Sequence, residues 1–121
     1  MAKRYTKSNP ALTALIHELK KQANENDAPI WKDVALRLQK PSHNWSEVNL
    51  DRISKYIGEK EIALIPGKVL SDGNLTKKVS IAAWSFSEKS QEKIKNAGGK
   101  YMTIEELIKS NPKGKDIRIL G

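Results

Sequence analysis

At 121 residues the chain is of single-domain length, and a domain of that size buries roughly two-thirds of its unfolded surface, enough for a real core. It has no cysteine, which excludes disulfides, thiolate metal sites and thiol catalysis, and no apolar run approaches the roughly 20 residues of a membrane helix. Lys and Arg number 22 against 14 Asp and Glu, a net charge of +8 that points to an anionic partner, most commonly nucleic acid.

Residues 1–8 form a basic arm in which Lys3, Arg4 and Lys7 stand with no acid among them, and Tyr5 is a candidate exposed aromatic. Such an arm is disordered alone and orders against phosphates, or is simply a frayed end. The Met-Ala-Lys-Arg-Tyr-Thr-Lys start has no apolar signal-peptide segment. Asn9-Pro10 then reads as an N-cap followed by proline at the first helical position. Leu12, Leu15, Ile16 and Leu19 share one helical face, and Lys20 and Lys21 close the helix. After a polar connection from Asn24 to Pro29, Trp31, Val34, Ala35 and Leu38 repeat the helical spacing. Lys32, Arg37 and Lys40 lie off that stripe, and Pro41 ends the helix. Residues 9–40 are therefore expected as an antiparallel helical pair.

Ser42, His43, Asn44 and Trp45 make an irregular loop that offers a hydrogen-bonding group at nearly every position. It suits RNA docking by stacking and by sugar and phosphate contacts, or a surface turn with Trp45 folded onto the core. Val48 and Leu50, then Ile53 and Ile57, predict a short strand running into a helical turn. Apolar Ile62, Leu64, Val69 and Leu70 precede the turn Ser71-Asp72-Gly73-Asn74, and Val79, Ile81 and Ala83 follow, which predicts a β-hairpin. Pro66-Gly67 interrupts its first strand and predicts a bend or bulge.

Ser87 is an N-cap for a helix carrying Ile94 and Ala97, stopped by Gly98-Gly99. Lys100-Tyr101-Met102 reads as a short extended return. Thr103 and Glu106 form a capping box for the next helix, with Met102 and Leu107 placed as a hydrophobic staple. A turn at Asn111-Pro112-Lys113-Gly114 leads to a last strand over Asp116–Leu120.

Catalytic patterns fail on inspection. Gly67-Lys68 has Ile62 where a phosphate loop needs its first glycine, and Val69 where magnesium needs a hydroxyl. Ser90 and Lys93 match a short S-x-x-K pattern whose companion motifs are absent. His17 and His43 fall in different elements, and Glu105 and Glu106 diverge by about 100° on a helix. The expectation is no enzyme, no cofactor and no metal. Basic residues recur instead: Lys77 and Lys78 at the return of the hairpin, Lys89, Lys93 and Lys100 along the helix and its stop, and Lys113, Lys115 and Arg118 near the end. The arginines are only Arg4, Arg37, Arg52 and Arg118, and a lysine-dominated surface favours phosphate contact over base-edge reading.

The runs Pro66-Gly67-Lys68-Val69-Leu70, Asp72-Gly73, Lys77-Lys78, Phe86-Ser87, Lys93-Ile94, Ala97-Gly98-Gly99-Lys100, Asn111-Pro112-Lys113-Gly114 and Ile117-Arg118-Ile119 carry a resemblance, as does Val48-Asn49-Leu50 followed by Ile53. They are similar to the "L eighteen e" type of large-subunit ribosomal protein of archaea and eukaryotes, over nearly the whole chain and most firmly from about Glu47 onward. The chain departs at Ser71, where relatives usually carry Gly, at Ser90, where Ala is common, and around Ser42 and His43, where more Arg or Lys is usual.

The resemblance implies an α/β fold: N-terminal amphipathic helices, then an irregular β-β-α core of short strands and helices over residues 47–121, with 9–121 as one globular domain. It implies a cytoplasmic, ribosome-associated structural constituent of the large subunit, with large-subunit rRNA and neighbouring ribosomal proteins as partners, and neither a membrane nor a small-molecule substrate. The candidate RNA-binding residues are then the arm cations Lys3, Arg4 and Lys7, with Arg37, Lys40, Ser42, His43, Asn44, Arg52, Lys68, Lys77, Lys78, Lys93, Lys100, Lys113, Lys115 and Arg118. The rival readings are a basic protein–protein adaptor and another non-catalytic RNA-binding protein; weak dependence of binding on salt would favour the adaptor.

Overall fold

The structure, a computed structural model, describes residues 10–58, 60–75 and 77–121, and of Ser42 the backbone only. The arm residues Lys3, Arg4, Tyr5 and Lys7, and the N-cap expected at Asn9, lie outside them. Helix α1 spans Pro10–Glu25 and α2 Pro29–Leu38; a 3-10 turn, Ser42–Asn44, precedes β1, Ser46–Asn49, and α3, Leu50–Tyr56. Then come β2, Ile62–Leu70; β3, Ser80–Phe86; α4, Glu88–Asn96; β4, Lys100–Thr103; α5, Ile104–Ser110; and β5, Ile117–Ile119.

Helix α1 does not stop at Lys21 as expected; it continues to Glu25. Nothing in Gln22-Ala23-Asn24 breaks a helix, and polar side chains tie the extra turn together. Gln22 Nε2 donates to Glu18 Oε2 at 2.7 Å, and Asn26 Nδ2 to Gln22 Oε1 at 2.6 Å. The chain turns only where Asp27 takes a left-handed φ of 50°. The apolar stripes do pack as their spacing predicts. Leu15, Leu19, Trp31, Val34, Ala35 and Leu38 are buried, with Leu12 and Ile16 packed at their edge.

The hairpin is overturned. Strands β2 and β3 are parallel, with Ile62 beside Ser80 and Val69 beside Phe86. The segment 71–79 does not reverse the chain at a turn but runs back along the sheet before β3 begins. It is shorter than the dozen or more residues usual for such a crossover, and its described residues contain no helix. Its backbone is held by its neighbours. The Lys93 ammonium donates to the carbonyls of Ser71 and Gly73 at 2.7 and 3.0 Å. Asp51 N–H donates to the Asp72 carbonyl at 3.1 Å, and Lys77 Nζ donates to the Ile57 carbonyl.

Each strand pair in the sheet is parallel, in the order β1-β2-β3-β4. Strand β5 also pairs with β2, beside Ile62–Leu64, whereas β1 pairs beside Gly67–Leu70. The register slips between Ile65 and Lys68, so Pro66-Gly67 forms the predicted irregularity.

Both faces of the sheet are covered, as parallel sheets require. On one face Leu64 and Ala82 join the buried residues of α1, α2 and α5 in a first core. On the other, Ala63, Ile65, Ile81 and Ala83 join Leu50 and Ile53 of α3 and Ile94 of α4 in a second. Buried apolar surface contributes about 25 cal/mol per Å², so these two interfaces hold the layers together.

Caps fall where the sequence places them. Ser87 accepts from Ser90 N–H, and Gly98 ends α4 with a φ of +80°. The Thr103–Glu106 capping box is closed in both directions at 3.1 and 2.9 Å. Leu107 is buried in the first core, and Met102 packs against that cluster. Ser90 is wholly buried, and its hydroxyl donates to the Ser87 carbonyl at 2.7 Å.

Candidate nucleic-acid interface

The parallel register decides which cations come together. Ile117, Ile62 and Ser80 stand side by side across the sheet, and Ser80 stands beside Lys100. Lys115, Lys60 and Lys78 each lie two positions before one of the first three residues. Neighbouring strands are about 4.8 Å apart. The edge where the strands begin thus carries a row of lysines, Lys115, Lys60, Lys78 and Lys100, all exposed. Lys60 is not among the cations that the sequence singles out. A hairpin would have put the starts of β2 and β3 at opposite ends, and only the parallel register aligns Lys60 with Lys78.

Two acids temper this edge. Glu61 Oε2 accepts from Arg118 Nε at 3.2 Å, and Glu61 Oε1 accepts from the Gly58 N–H at 2.8 Å. These contacts, the Gly58 N–H first and the Arg118 guanidinium after it, hold the Glu61 carboxyl below its ordinary range. Asp116 gives its carbonyl to Ile62 N–H at 2.8 Å. Arg118 is therefore paired with Glu61, with its side chain 50% exposed.

The other candidates divide by what already holds them. Lys77 and Lys93 spend their ammonium groups on backbone carbonyls, so they tie the crossover down rather than face outward. Arg37 pairs with Asp33 at 3.1 Å and donates to the Gly121 carbonyl at 3.3 Å. Lys40 and Arg52 are exposed, on the way out of α2 and in α3. Lys113 is exposed in the turn after α5, whose Pro112 carbonyl accepts from Trp31 Nε1 at 2.7 Å. Asn111 brackets that turn through the backbone of Lys115, at 2.8 and 3.2 Å.

A second group lies at the opposite end of the strands. Lys68 is eight positions beyond Lys60, roughly 25 Å at about 3.3 Å per residue. It lines an open groove of about 490 Å³ together with His43, Trp45 and Trp84. His43 and Asn44 are exposed, and only the backbone of Ser42 is described. Trp45 is folded onto the edge of the first core, its Nε1 donating to the Lys40 carbonyl at 2.9 Å. Its ring meets Trp84 edge-on, centroids 5.8 Å apart at 76°. Of the tyrosines, Tyr101 leans on Phe86 at 5.3 Å and Tyr56 is 51% exposed.

Among the described residues no group of three or more His, Cys, Asp or Glu could hold a metal ion, and no helix is long and apolar enough to cross a membrane.

Comparison with known proteins agrees with this basic α/β architecture. A family profile described as "Ribosomal protein 60S L18 and 50S L18e" matches residues 1–121. The chain is 51% identical to the large ribosomal subunit protein eL18 of Archaeoglobus fulgidus over 114 residues, 94% of this chain and 97% of that one. It is 48% identical to the eL18 protein of Methanoregula boonei over 120 residues, 99% of both chains. The eL18 protein of Methanothermobacter thermautotrophicus is 42% identical over 120 residues, again 99% of both chains. The chain therefore belongs to the family of ribosomal proteins 60S L18 and 50S L18e.

Proposed function

We propose that the chain is a structural constituent of the large ribosomal subunit, acting in the cytoplasm by binding folded rRNA and without turnover. The observation that carries this reading is the lysine row Lys115, Lys60, Lys78 and Lys100 on the edge where the strands begin, in a chain of net charge +8. Exposed ammonium groups along one end of a sheet neutralise phosphates and release their counterions, and the compact charge of lysine needs no base-edge geometry. Membership in a family of ribosomal proteins supports rRNA as the anionic partner.

In this reading Lys113 and Arg118 extend the edge, Lys40, Arg52 and Lys68 make separate phosphate contacts, and the arm cations Lys3, Arg4 and Lys7 add to them. Lys77, Lys93 and Arg37 act mainly within the protein. Residues 9–121 dock as one body, and neighbouring ribosomal proteins of the large subunit form a second class of contact.

The test is binding of the full chain to large-subunit rRNA over a series of salt concentrations. Affinity should fall steeply with salt, and Lys78→Ala and Lys100→Ala should each lower the slope by about one. A salt-independent affinity, or unchanged slopes in both variants, would overturn the reading and favour a protein–protein adaptor.

A further inference from the structure

The groove at the far end of the strands differs in chemistry from the lysine edge. Its walls are the aromatic pair Trp45 and Trp84, with Lys68 and His43 at its rim and Ser85 beside them. Both indoles are only partly buried, unlike Trp31, which is wholly enclosed in the first core. The Trp45 ring is fixed by its hydrogen bond to the Lys40 carbonyl and by its edge-on contact with Trp84. Gly67, paired with Ser46 where β1 meets β2, also lines the groove. The groove lies where the start of β1 meets the later halves of β2 and β3. One acid, Glu47, lines it too, opposite Lys68 in the strand register.

We propose that this groove takes one unpaired nucleobase of the bound RNA, stacked on the Trp84 face of the edge-on Trp45–Trp84 pair, with Lys68 on the adjoining phosphate. The inference rests on the rRNA-binding reading above and deepens it, adding a base contact to what is otherwise phosphate contact alone. An aromatic wall beside a cation fits a base with its phosphate. Stacking asks only for a π face, so the site would take an unpaired base with little regard for its identity. A paired base, already stacked in its duplex, has no free face to offer.

The probe is a short unpaired oligoadenylate, with a duplex RNA of the same length as control, titrated into the full chain while tryptophan emission is read. Unpaired RNA should quench the emission and the duplex should not; Trp31, sealed in the core, supplies a constant background. Trp84→Ala should abolish most of the quenching and weaken oligoadenylate binding about tenfold or more, in the range of one lost base stack, whereas Trp84→Phe should retain most of the affinity. Should Trp84→Ala fail to fold, Lys68→Ala serves, weakening oligoadenylate binding several-fold while leaving the maximum quench intact. Lys100→Ala, at the other end of the sheet, should weaken rRNA binding without altering the quench. Absent quenching while salt-dependent rRNA binding persists, or equal quenching by duplex and unpaired RNA, would overturn the groove proposal alone. Absent rRNA binding would overturn the parent reading with it.

Discussion

A Cβ placed on Gly67 would lie 2.1 Å from the carbonyl oxygen of Ser46, its partner in the parallel register of β1 and β2. No heavy atom fits there, and the obstruction is backbone, so the strands approach this closely only because position 67 is glycine. Gly67→Ala should push β1 off β2 and lower stability by about 1–3 kcal/mol or more, measured by urea denaturation. An unchanged denaturation midpoint would mean that the two strands are not in this register.

Lys93 and Lys100 test the division of the cations into internal ties and outward contacts. Lys93→Ala removes two hydrogen bonds from a charged donor to the crossover backbone. It should cost about 1–3 kcal/mol in denaturant unfolding while leaving the salt slope of RNA binding nearly unchanged. Lys100, exposed on the strand-start edge, should behave the opposite way, with wild-type stability and a shallower slope.

The capping box on α5 gives a small, specific prediction. Thr103→Ala leaves the Glu106 N–H without its 3.1 Å partner and should lower stability by about 1 kcal/mol, whereas Thr103→Ser should largely restore it. Equal losses in both variants would show that the methyl group, not the hydroxyl, matters.

Glu61 predicts a pH dependence. Its carboxyl is held below the ordinary range, first by the Gly58 N–H and then by Arg118. A carboxylate whose folded pKa is depressed contributes stability that is present above its unfolded pKa and lost as the pH falls through the folded one. The Glu61 contribution should therefore be constant near neutrality and vanish only under acid. A carbon-detected NMR titration should place its midpoint below that of an unperturbed glutamate, and Arg118→Ala should move it upward. A midpoint at or above the ordinary value would refute the contact.

Local signals in the sequence proved sound because they act over a few residues. Ser87, Gly98, Thr103 and Glu106 cap what they were expected to cap, and the α1 and α2 stripes are buried as their spacing predicts. The strand pairing was misread because the turn residues at Ser71–Asn74 look like a reversal. The corrective signal was present in the same strands. Ile62-Ala63-Leu64-Ile65 and Ile81-Ala82-Ala83-Trp84 are continuous apolar runs rather than alternating ones, the mark of a parallel sheet covered on both faces. That error hid Lys60, whose place beside Lys78 depends on register. Lys77 and Lys93, also singled out in the sequence, hold the crossover that a parallel connection requires. The groove could not be read from the sequence, because Lys68, Trp45 and Trp84 meet only through the pairing of β1, β2 and β3.

The most direct test of the central claim is sucrose-gradient fractionation of a native lysate, before and after a high-salt wash, with the chain quantified by mass spectrometry in every fraction. The account predicts about one copy per large subunit, retained through moderate salt. A pool at the top of the gradient, or a thin spread across all RNA-containing fractions, would contradict it.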